Sequence, residues 1–233
     1  MKSLIKCSLI VPCFNEYESL LHLLPEVKKY TDDYPLEFIF IDNGSSDSTW
    51  ELLNENRNTN ILAIRLESNL GYGGGIKSGL KISRGKYVGW IHADLQYTLA
   101  DVIEHLALNL APNNFIKGRR KNRRIGQKLI SLSMSVFESL LFQKFFSDIN
   151  AQPTIFDRNM INDFNSLPDD FSIDLCAYAI AKRKGFKIER FSVKYNRRSF
   201  GTSSWNAGFK SVLKISLRTI KYSLFLRVNY DNY

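Results

Sequence analysis

The sequence predicts a doubly wound α/β fold, with a central sheet between two layers of helices. Short apolar runs alternate with segments of helical periodicity through the first half of the chain. Residues 38–41 are apolar without interruption, as expected for a strand that is buried on both faces of a parallel sheet. Polar segments at 12–16, 42–47 and 92–96 each follow an apolar run. Because ligands on such sheets bind beyond the carboxyl ends of the strands, we expect a site at that edge.

Strands and helices alternate regularly in the first half. Pro12 closes the first strand, and the polar turn at 42–47 has the composition of a helix start. A glycine-rich segment, 71–75, precedes a further helix. The predicted strands are 8–11, 38–41, 61–64 and 87–91, and the helix over 17–30 has Leu20, Leu21, Leu24 and Val27 on one side.

The second half is less regular. A short strand at 115–116 enters the basic cluster at 117–124, and Asp169 and Asp170 favour the start of a later helix through its dipole. There is no internal repeat and no linker, so a single domain is expected. The remaining predicted elements are helices over 127–146, 171–184 and 205–228 and a strand over 186–193.

Composition excludes several classes of protein. With 44% hydrophobic and 24% charged residues in 233, the chain is neither disordered nor collagen-like, and no run of about 18 apolar residues predicts a membrane span. The N-terminal apolar stretch is interpreted as a first strand rather than a signal peptide. Three scattered cysteines (Cys7, Cys13 and Cys176) are too few for a disulfide framework or a zinc cluster, so we expect a reduced, cytosolic setting.

Charge is divided unevenly along the chain. Residues 1–114 carry 10 Lys and Arg against 14 Asp and Glu, whereas residues 115–233 carry 22 against 9, for a net charge of +9. This polarity is typical of a metal site facing phosphates, with a basic surface turned toward an anionic partner. It is also compatible with nucleic-acid binding.

The segment that follows the fourth predicted strand contains candidate metal ligands. Asp94 and Gln96 are two residues apart, so in an extended segment they point to the same side, and both supply oxygen atoms. His92 continues that side and could supply a nitrogen. A lone aspartate after a strand is more often a turn or cap residue. Only the wider sequence pattern therefore indicates that this segment binds a metal.

Five motifs occur in an order that is informative as a whole. They are 9–16 (LIVPCFNE), 41–49 (IDNGSSDST), 69–80 (with NLGYGG and KSGL), 85–96 (GKYV leading to ADLQ) and 198–204 (RSFGTSS). Together they resemble family-2 glycosyltransferases, in particular the dolichyl- and polyprenyl-phosphate sugar synthases. The resemblance covers residues 5–205, and implies a GT-A-type, mixed, doubly wound sheet as the catalytic domain 1–205. Within it, 1–114 would be the nucleotide-binding half and 115–205 the acceptor half.

The resemblance also implies an activity. It is inverting transfer of a sugar from a nucleotide-diphosphate sugar to a polyprenyl phosphate, or to a lipid-linked or cell-surface glycan, with Mg²⁺ or Mn²⁺ as cofactor. For Glu16 an N-terminal helix charge and for Asp47 a helix cap are the alternatives. The residues implied to bind the nucleotide-sugar are Pro12, Asn15, Glu16, Asp42, Asn43, Asp47, Gly71, Lys77, Ala93, Arg120 and Ser203.

The chain departs from the family pattern at the metal motif. The family's Asp-x-Asp element falls on His92-Ala93-Asp94, so histidine replaces the first carboxylate. Asp94 then remains as the main metal ligand, and Gln96 is a second one. His92 either ligates the metal or tunes it, and manganese tolerates imidazole better than magnesium does.

A second departure concerns the general base. Gln152 falls where some relatives have a candidate acidic base, and glutamine cannot accept a proton. A lipid-phosphate acceptor needs no strong base, whereas a sugar hydroxyl would require Asp148 or Asp174. Arg198 is implied to contact phosphate, and Arg120, with Arg123 or Arg124, could clamp a diphosphate or acceptor phosphate.

The segment 206–233 predicts a basic amphipathic helix. Such a helix can lie in an anionic membrane interface, and the apolar helix over 127–146 could assist. We therefore expect a peripheral protein on the cytoplasmic face of the membrane, with core packing as the alternative for both helices. The basic stripe is Lys210, Lys214, Arg218 and Lys221, and the apolar stripe is Leu213, Leu217, Ile220 and Leu224.

Two other functions compete with sugar transfer. The glycine run that begins at Gly71 suggests a dinucleotide-dependent oxidoreductase, but it follows the third predicted strand rather than the first. The basic half suggests a nucleic-acid-binding module, yet no recognisable nucleic-acid motif accompanies the charge. We therefore expect no nucleic-acid partner, and the sequence leaves the oligomeric state open.

Overall fold

A computed structural model describes residues 5–123, 125–164, 167–196, 198–200 and 209–230. They form one seven-stranded sheet with helices on both faces, in the strand order β3-β2-β1-β4-β6-β5-β7. The strands are β1 Cys7–Cys13, β2 Leu36–Asp42, β3 Ile61–Arg65, β4 Tyr87–Trp90, β5 Asn114–Lys121, β6 Thr154–Asp157 and β7 Lys187–Lys194. The helices are α1 Tyr17–Asp33, α2 Thr49–Glu55, α3 Gly71–Ile82, α4 Leu99–Asn109, α5 Ile125–Phe142, α6 Ser172–Arg183 and α7 Phe209–Val228, with a 3-10 helix at Arg158–Phe164.

The sheet is mixed, as the sequence predicts. Strands β1 to β4 pair in parallel, and β5 pairs in parallel with β7. The four-residue strand β6 runs antiparallel between β4 and β5, and so joins the two halves of the chain into one sheet. The mixed, doubly wound sheet is therefore confirmed.

Four elements differ most from the sequence prediction. Strand β5 has eight residues rather than two, because it pairs with β7 along its whole length, including its basic residues. Strand β6 and helix α4 were not predicted. The helix predicted over 127–146 instead spans Ile125–Phe142, and Gln143 follows with a φ of 52°.

Side chains alternate between two cores, one on each face of the sheet. In β1, Leu9 and Val11 pack with α1, α2 and α4, whereas Ile10 packs on the opposite side with α3, α6 and the ends of α5 and α7. Gly79 of α3 lies so close to the sheet that a Cβ atom there would be 2.6 Å from the Ile10 side chain. Apolar burial on both faces explains why the central strands lack a polar side.

The carboxyl ends of the parallel strands lie together. Cys13 at the end of β1 is in register with Asp42 at the end of β2, and the Asn43 N–H donates to the Cys13 carbonyl at 2.8 Å. Strand β4 lies on the other side of β1 and ends at Trp90. The polar segments after all three strands therefore meet at one edge. Across the described residues, every helix is too short or too polar to span a membrane.

Candidate active site

Asp94 is the carboxylate at the end of β4. It is 7% exposed, and its Oδ1 accepts the Gln96 N–H at 3.2 Å. The turn that presents it includes Leu95, at a φ of 57°. Burial alone would raise the pKa of Asp94, but the neighbouring His92 and the Gln96 N–H together lower it. The side chain is therefore a buried, ionised carboxylate.

His92 lies beside Asp94, with its Nδ1 atom 3.6 Å from Asp94 Oδ2. Its other ring nitrogen, Nε2, is 2.9 Å from the Tyr72 hydroxyl, and the Tyr72 and Tyr97 rings lie nearly perpendicular to the imidazole, at interplanar angles of 81° and 84°. Gln96 turns its amide nitrogen toward the Asn196 carbonyl, 3.4 Å away. All three predicted metal ligands thus lie in one short segment, with contacts that restrict each of them.

These residues would suit a divalent cation that takes its remaining ligands from a bound phosphate group. Among the described residues, no three His, Cys, Asp or Glu side chains gather closely enough to hold a metal ion alone. Asp94 nevertheless offers an ionised oxygen ligand at the strand end. Cations such as Mg²⁺ are commonly held by one or two carboxylates together with substrate phosphates.

The loops after β1 and β2 are locked to each other. The Asn15 N–H donates to Ser45 Oγ and the Asn15 Oδ1 accepts the Ser46 N–H, both at 2.9 Å. Asp47 accepts the Thr49 N–H at 3.1 Å with one oxygen and the Tyr17 N–H at 3.3 Å with the other. Asp47 therefore orders the helix starts here, in line with the alternative that the sequence raised.

Asp42 and Asn43 are buried at the end of β2. Asp42 accepts the Ser45 N–H at 3.0 Å and has its second oxygen 3.3 Å from Arg65 Nε. The Asn43 amide donates to the Gly71 carbonyl at 2.9 Å and accepts the Leu70 N–H at 2.9 Å. Asn43 thus fixes the entry to α3. Pro12 lies next to that helix, and Ala93 is buried.

Gly71 and Lys77 both contact the segment before α6. Gly71 has a φ of +79°, and a Cβ atom there would lie 2.3 Å from the Asp169 carbonyl oxygen. Lys77 Nζ is 2.7 Å from Asp169 Oδ1 and 2.8 Å from the Leu167 carbonyl oxygen. In the structure both residues therefore hold α3 against residues 167–169.

Arg198 brings the last motif against the first. Its guanidinium group forms an ion pair with Glu16, and its Nε donates to the Phe200 carbonyl at 2.7 Å. The Phe200 ring stacks on His22, with ring centroids 5.3 Å apart. Burial raises the pKa of Glu16 despite the opposing effect of Arg198. The predicted site residue Ser203 lies outside the described residues.

Asp148 and Arg120 are bound to each other. The Asp148 carboxylate accepts hydrogen bonds from the Arg120 backbone N–H and from its guanidinium group, and Arg123 approaches to 3.2 Å. Burial would raise the pKa of Asp148, but the charge and hydrogen bonds of Arg120, together with the charge of Arg123, outweigh burial and lower it. The Arg120 guanidinium also lies 5.6 Å from the centroid of the Tyr195 ring.

Asp174 lies at the centre of a buried polar network. Its Oδ1 accepts hydrogen bonds from Trp90 Nε1 at 3.2 Å, Thr154 Oγ1 at 3.0 Å and Gln152 Nε2 at 3.1 Å. Lys117 Nζ, fully buried, is 3.3 Å from the same oxygen, and burial lowers the pKa of Lys117 to about 8. Asp174 is 1% exposed.

Sequence reasoning missed Lys117 and Tyr72 as members of this network. Lys117 was grouped with the basic cluster, although its position two residues after Phe115 on β5 places it on the same, inward face. Tyr72 was hidden in a glycine-rich motif. Alternation along a longer β5 was the only signal for Lys117, and no signal pointed to Tyr72.

The chain matches one known protein family over most of its length. The family model described as glycosyl transferase family 2 matches residues 8–187, which is most of the chain. The chain belongs to glycosyl transferase family 2. It is a glycosyltransferase, and the oxidoreductase and nucleic-acid-binding alternatives are set aside.

Three curated relatives are similar to this family-2 chain. A dolichyl-phosphate beta-glucosyltransferase of Dictyostelium discoideum is 36% identical over 101 residues, covering 39% of this chain and 31% of that protein. A dolichyl-phosphate beta-glucosyltransferase of Trichomonas vaginalis is 23% identical, covering 98% of this chain and 76% of that protein. A dodecaprenyl-phosphate galacturonate synthase of Rhizobium johnstonii is 24% identical, covering 96% and 68%. The chain thus matches a minor part of the first relative and most of the other two.

Solved structures share the fold. Glucosyl-3-phosphoglycerate synthase from Mycobacterium tuberculosis, crystallised with Mn²⁺, UDP-glucose and phosphoglyceric acid, superimposes with a TM-score of 0.70 at 14% identity. The match covers 97% of this chain and 80% of that one. A mycobacterial protein superimposes with a TM-score of 0.71 at 16% identity, covering 97% and 76%.

Proposed function

We propose that this family-2 glycosyltransferase transfers a sugar, with inversion, from a nucleotide-diphosphate sugar to a polyprenyl phosphate at a membrane surface. The observation that carries the proposal is the buried Asp94 carboxylate at the end of β4, beside the loops that follow β1 and β2. Three relatives of the chain are dolichyl- or polyprenyl-phosphate sugar transferases, which supports the acceptor class.

The donor would lie across the ends of β1 and β2. The carboxylates of Asp42 and Glu16 can accept hydrogen bonds from a base or a ribose. Arg198, which pairs with Glu16 in the structure, would turn toward the diphosphate when the donor binds. Asn15 and Asp47, through their hydrogen bonds to Ser46 and Thr49, would hold the loops of this pocket in place before the donor binds.

A divalent cation, Mg²⁺ or Mn²⁺, would supply charge neutralisation for the leaving diphosphate. Asp94 would hold it, with Gln96 and His92 as the neighbouring candidates. Several solved relatives in fold contain Mn²⁺ together with UDP or UDP-glucose, which supports this cofactor class. The rest of the coordination would come from the donor's phosphate oxygens.

The acceptor is inferred from the side chains that could remove a proton. Asp148 is fully engaged by Arg120, Asp174 is enclosed by four donors, and Gln152 cannot act as a base. A hydroxyl acceptor must lose a proton as it attacks, whereas a phosphate monoester is already an anion. The site therefore favours a phosphate oxygen as nucleophile, attacking the anomeric carbon opposite the departing diphosphate.

Membrane contact is proposed from two helices that expose apolar side chains. Helix α5 presents Leu129, Leu132 and Leu140 at 59–75% exposure, and α7 presents Leu217 and Phe225 with Arg218 nearby. Large exposed apolar patches mark interaction surfaces, and basic residues favour anionic lipids. The chain would therefore lie peripherally on the cytoplasmic face, where lipid phosphates are exposed. The predicted basic residues Lys210 and Lys214 lie on α7, at positions whose side chains the structure does not describe.

The test is a transfer assay with a panel of radiolabelled nucleotide sugars. Each donor is incubated with Mn²⁺ and either a short-chain polyprenyl phosphate or the matching polyprenyl alcohol. We expect labelled, acid-labile glycolipid only with the phosphate. Transfer to the alcohol or to a soluble glycan at an equal rate would contradict the acceptor assignment.

A further inference from the structure

A series of side-chain hydrogen bonds runs from the buried centre of the sheet to His92, which lies beside the proposed metal ligand Asp94. Asp174 contacts Gln152, Gln152 contacts Tyr72, Tyr72 contacts His92, and His92 lies next to Asp94. The donor and acceptor at each step can be assigned from one end of the series. The assignment decides what His92 can do.

The series of hydrogen bonds begins at the Asp174 carboxylate, which can only accept hydrogen bonds. The Gln152 amide nitrogen is 3.1 Å from both oxygens of the Asp174 carboxylate. The reverse orientation would place the amide oxygen against that carboxylate, with repulsion between them. The nitrogen therefore faces Asp174, and this orientation leaves its second N–H for Tyr72.

Tyr72 accepts a hydrogen bond from Gln152 and donates one to His92. Gln152 Nε2 is 3.0 Å from the Tyr72 hydroxyl and donates to it. A tyrosine phenol keeps its hydrogen near neutral pH. Tyr72 accepts from Gln152 and has one hydrogen to donate. The acceptor within reach is His92 Nε2, at 2.9 Å.

A neutral imidazole that accepts at Nε2 carries its hydrogen on Nδ1. Nδ1 is the ring nitrogen that lies near Asp94, with Asp94 Oδ2 3.6 Å away, so the positive end of the N–H dipole is next to the carboxylate. Metal ligation by histidine requires a free nitrogen lone pair. In this arrangement Nε2 uses its lone pair for Tyr72, and Nδ1 has none to offer.

We infer that His92 is a positioning residue which orients the Asp94 carboxylate, and that it does not ligate the metal; Tyr72 and Gln152 fix the tautomer that this role needs. The inference rests on the proposed function for the presence of a cation at Asp94. It assigns the histidine that replaces the family's first carboxylate to the support of the remaining one. The cation then receives one protein carboxylate, and its other ligands come from elsewhere.

The tautomer is measured first, in the metal-free protein. Nitrogen-15 NMR of the imidazole side chains at about pH 8, assigned with a His92→Asn variant, distinguishes the two neutral forms. We expect the Nδ1–H form for His92, and a shift toward the Nε2–H form in Tyr72→Phe, which lacks the hydroxyl donor. An Nε2–H form in the unsubstituted protein overturns the inference.

Metal binding is measured second, with Mn²⁺ and UDP as probes. Electron spin-echo spectroscopy detects an imidazole nitrogen bound to Mn²⁺, and we expect no such coupling. An asparagine can present an N–H near the position of Nδ1, so His92→Asn should retain Mn²⁺ affinity within about threefold, whereas His92→Ala should lose about 10- to 100-fold. A nitrogen coupling that disappears in His92→Asn overturns the inference.

The two proposals fail in different ways. If the unsubstituted protein binds no Mn²⁺ in the presence of UDP and Asp94→Asn changes nothing, the proposed metal-dependent function fails. The tautomer measurement on the metal-free protein is unaffected by that result. Conversely, metal-dependent transfer with a nitrogen-coupled Mn²⁺ keeps the proposed function and rejects the positioning role.

Discussion

At the residue scale, the site combines a few polar side chains whose partners are fixed by burial. Asp94 is ionised within a buried turn, and Asp174 is held by donors from three elements and one loop. Buried polar groups that are fully paired specify one arrangement, whereas removal of one partner is costly. Residues next to the chemistry therefore also contribute to the stability of the sheet.

The Lys117–Asp174 pair gives a stability prediction at this scale. Lys117→Met removes the cation and leaves Asp174 as a buried carboxylate with neutral donors only. We expect a loss of about 3 kcal/mol in the free energy of unfolding, measured by denaturant titration. The double variant with Asp174→Asn should recover part of that loss, because the unpaired charge is then gone. Strict additivity of the two substitutions would contradict the pairing.

At the scale of elements, the sequence predicted the first half better than the second. Residues 38–41 lie within β2, and the polar segments after β1, β2 and β4 meet as expected, because parallel buried strands have a clear apolar signature. Strand β5 contains Lys117, Arg119, Arg120 and Lys121, and so lacks that signature. Its length is set by pairing with β7, which is a tertiary effect that periodicity does not report.

The same contrast applies to the candidate site. Asp94 could be found from a motif that is continuous in the sequence. The link from His92 through Tyr72 to Gln152 joins residues 20 and 80 positions apart and depends on the fold. The engagement of Asp148 by Arg120 is equally non-local. The family motif identified the position of the site, and only tertiary structure identified the partners.

Glu138 connects α5 with α7 and gives a prediction for pH. It is fully buried, accepts a hydrogen bond from Ser223 Oγ at 2.5 Å, and burial raises its pKa from 4.5 to about 7. Between these values the folded state holds more protons than the unfolded state, so stability falls as pH rises from 4.5 to 7. The contribution is about 3 kcal/mol in full.

Glu138→Gln should therefore flatten the pH dependence of stability in this window and raise stability at pH 8. Thermal unfolding from pH 4.5 to 8 measures it, with the exposed Glu18→Gln on α1 as the control. An unchanged profile in Glu138→Gln would show that the carboxyl group titrates alike in both states. The result bears on how α5 and α7 are held together.

The exposed apolar side of α5 gives a prediction for membrane binding. Leu129→Glu with Leu140→Glu adds two charges to side chains that are 60% and 75% exposed, so the fold should be little affected. Binding to anionic vesicles, measured by co-sedimentation, should fall at least about tenfold because charge is costly in the interface. Leu21→Glu on α1, where the side chain is 42% exposed, is a control for the substitution type. Equal binding by all three proteins would exclude α5 as the contact.

At the scale of the whole molecule, the acidic and basic halves of the chain have different parts in the proposed function. The acidic half, residues 1–114, contains Asp94 and the loops that follow β1 and β2, and the basic half, residues 115–233, contains α5 and α7. Strand β6 ties these halves into one sheet. A nucleotide site with a cation on one side and a lipid-facing surface on the other suits transfer to an anionic lipid. This arrangement makes Asp94 the residue on which the account depends most.

The most direct test is the divalent-cation dependence of sugar transfer by Asp94→Asn. The substitution keeps the size of the side chain and removes its charge, and the exposed Asp32→Asn on α1 is the matched control. We predict that turnover falls at least about 100-fold in Asp94→Asn, with an unchanged midpoint of thermal unfolding, while Asp32→Asn stays at the original rate. Transfer by Asp94→Asn at the original rate, or transfer that persists after chelation of divalent cations, would contradict this prediction.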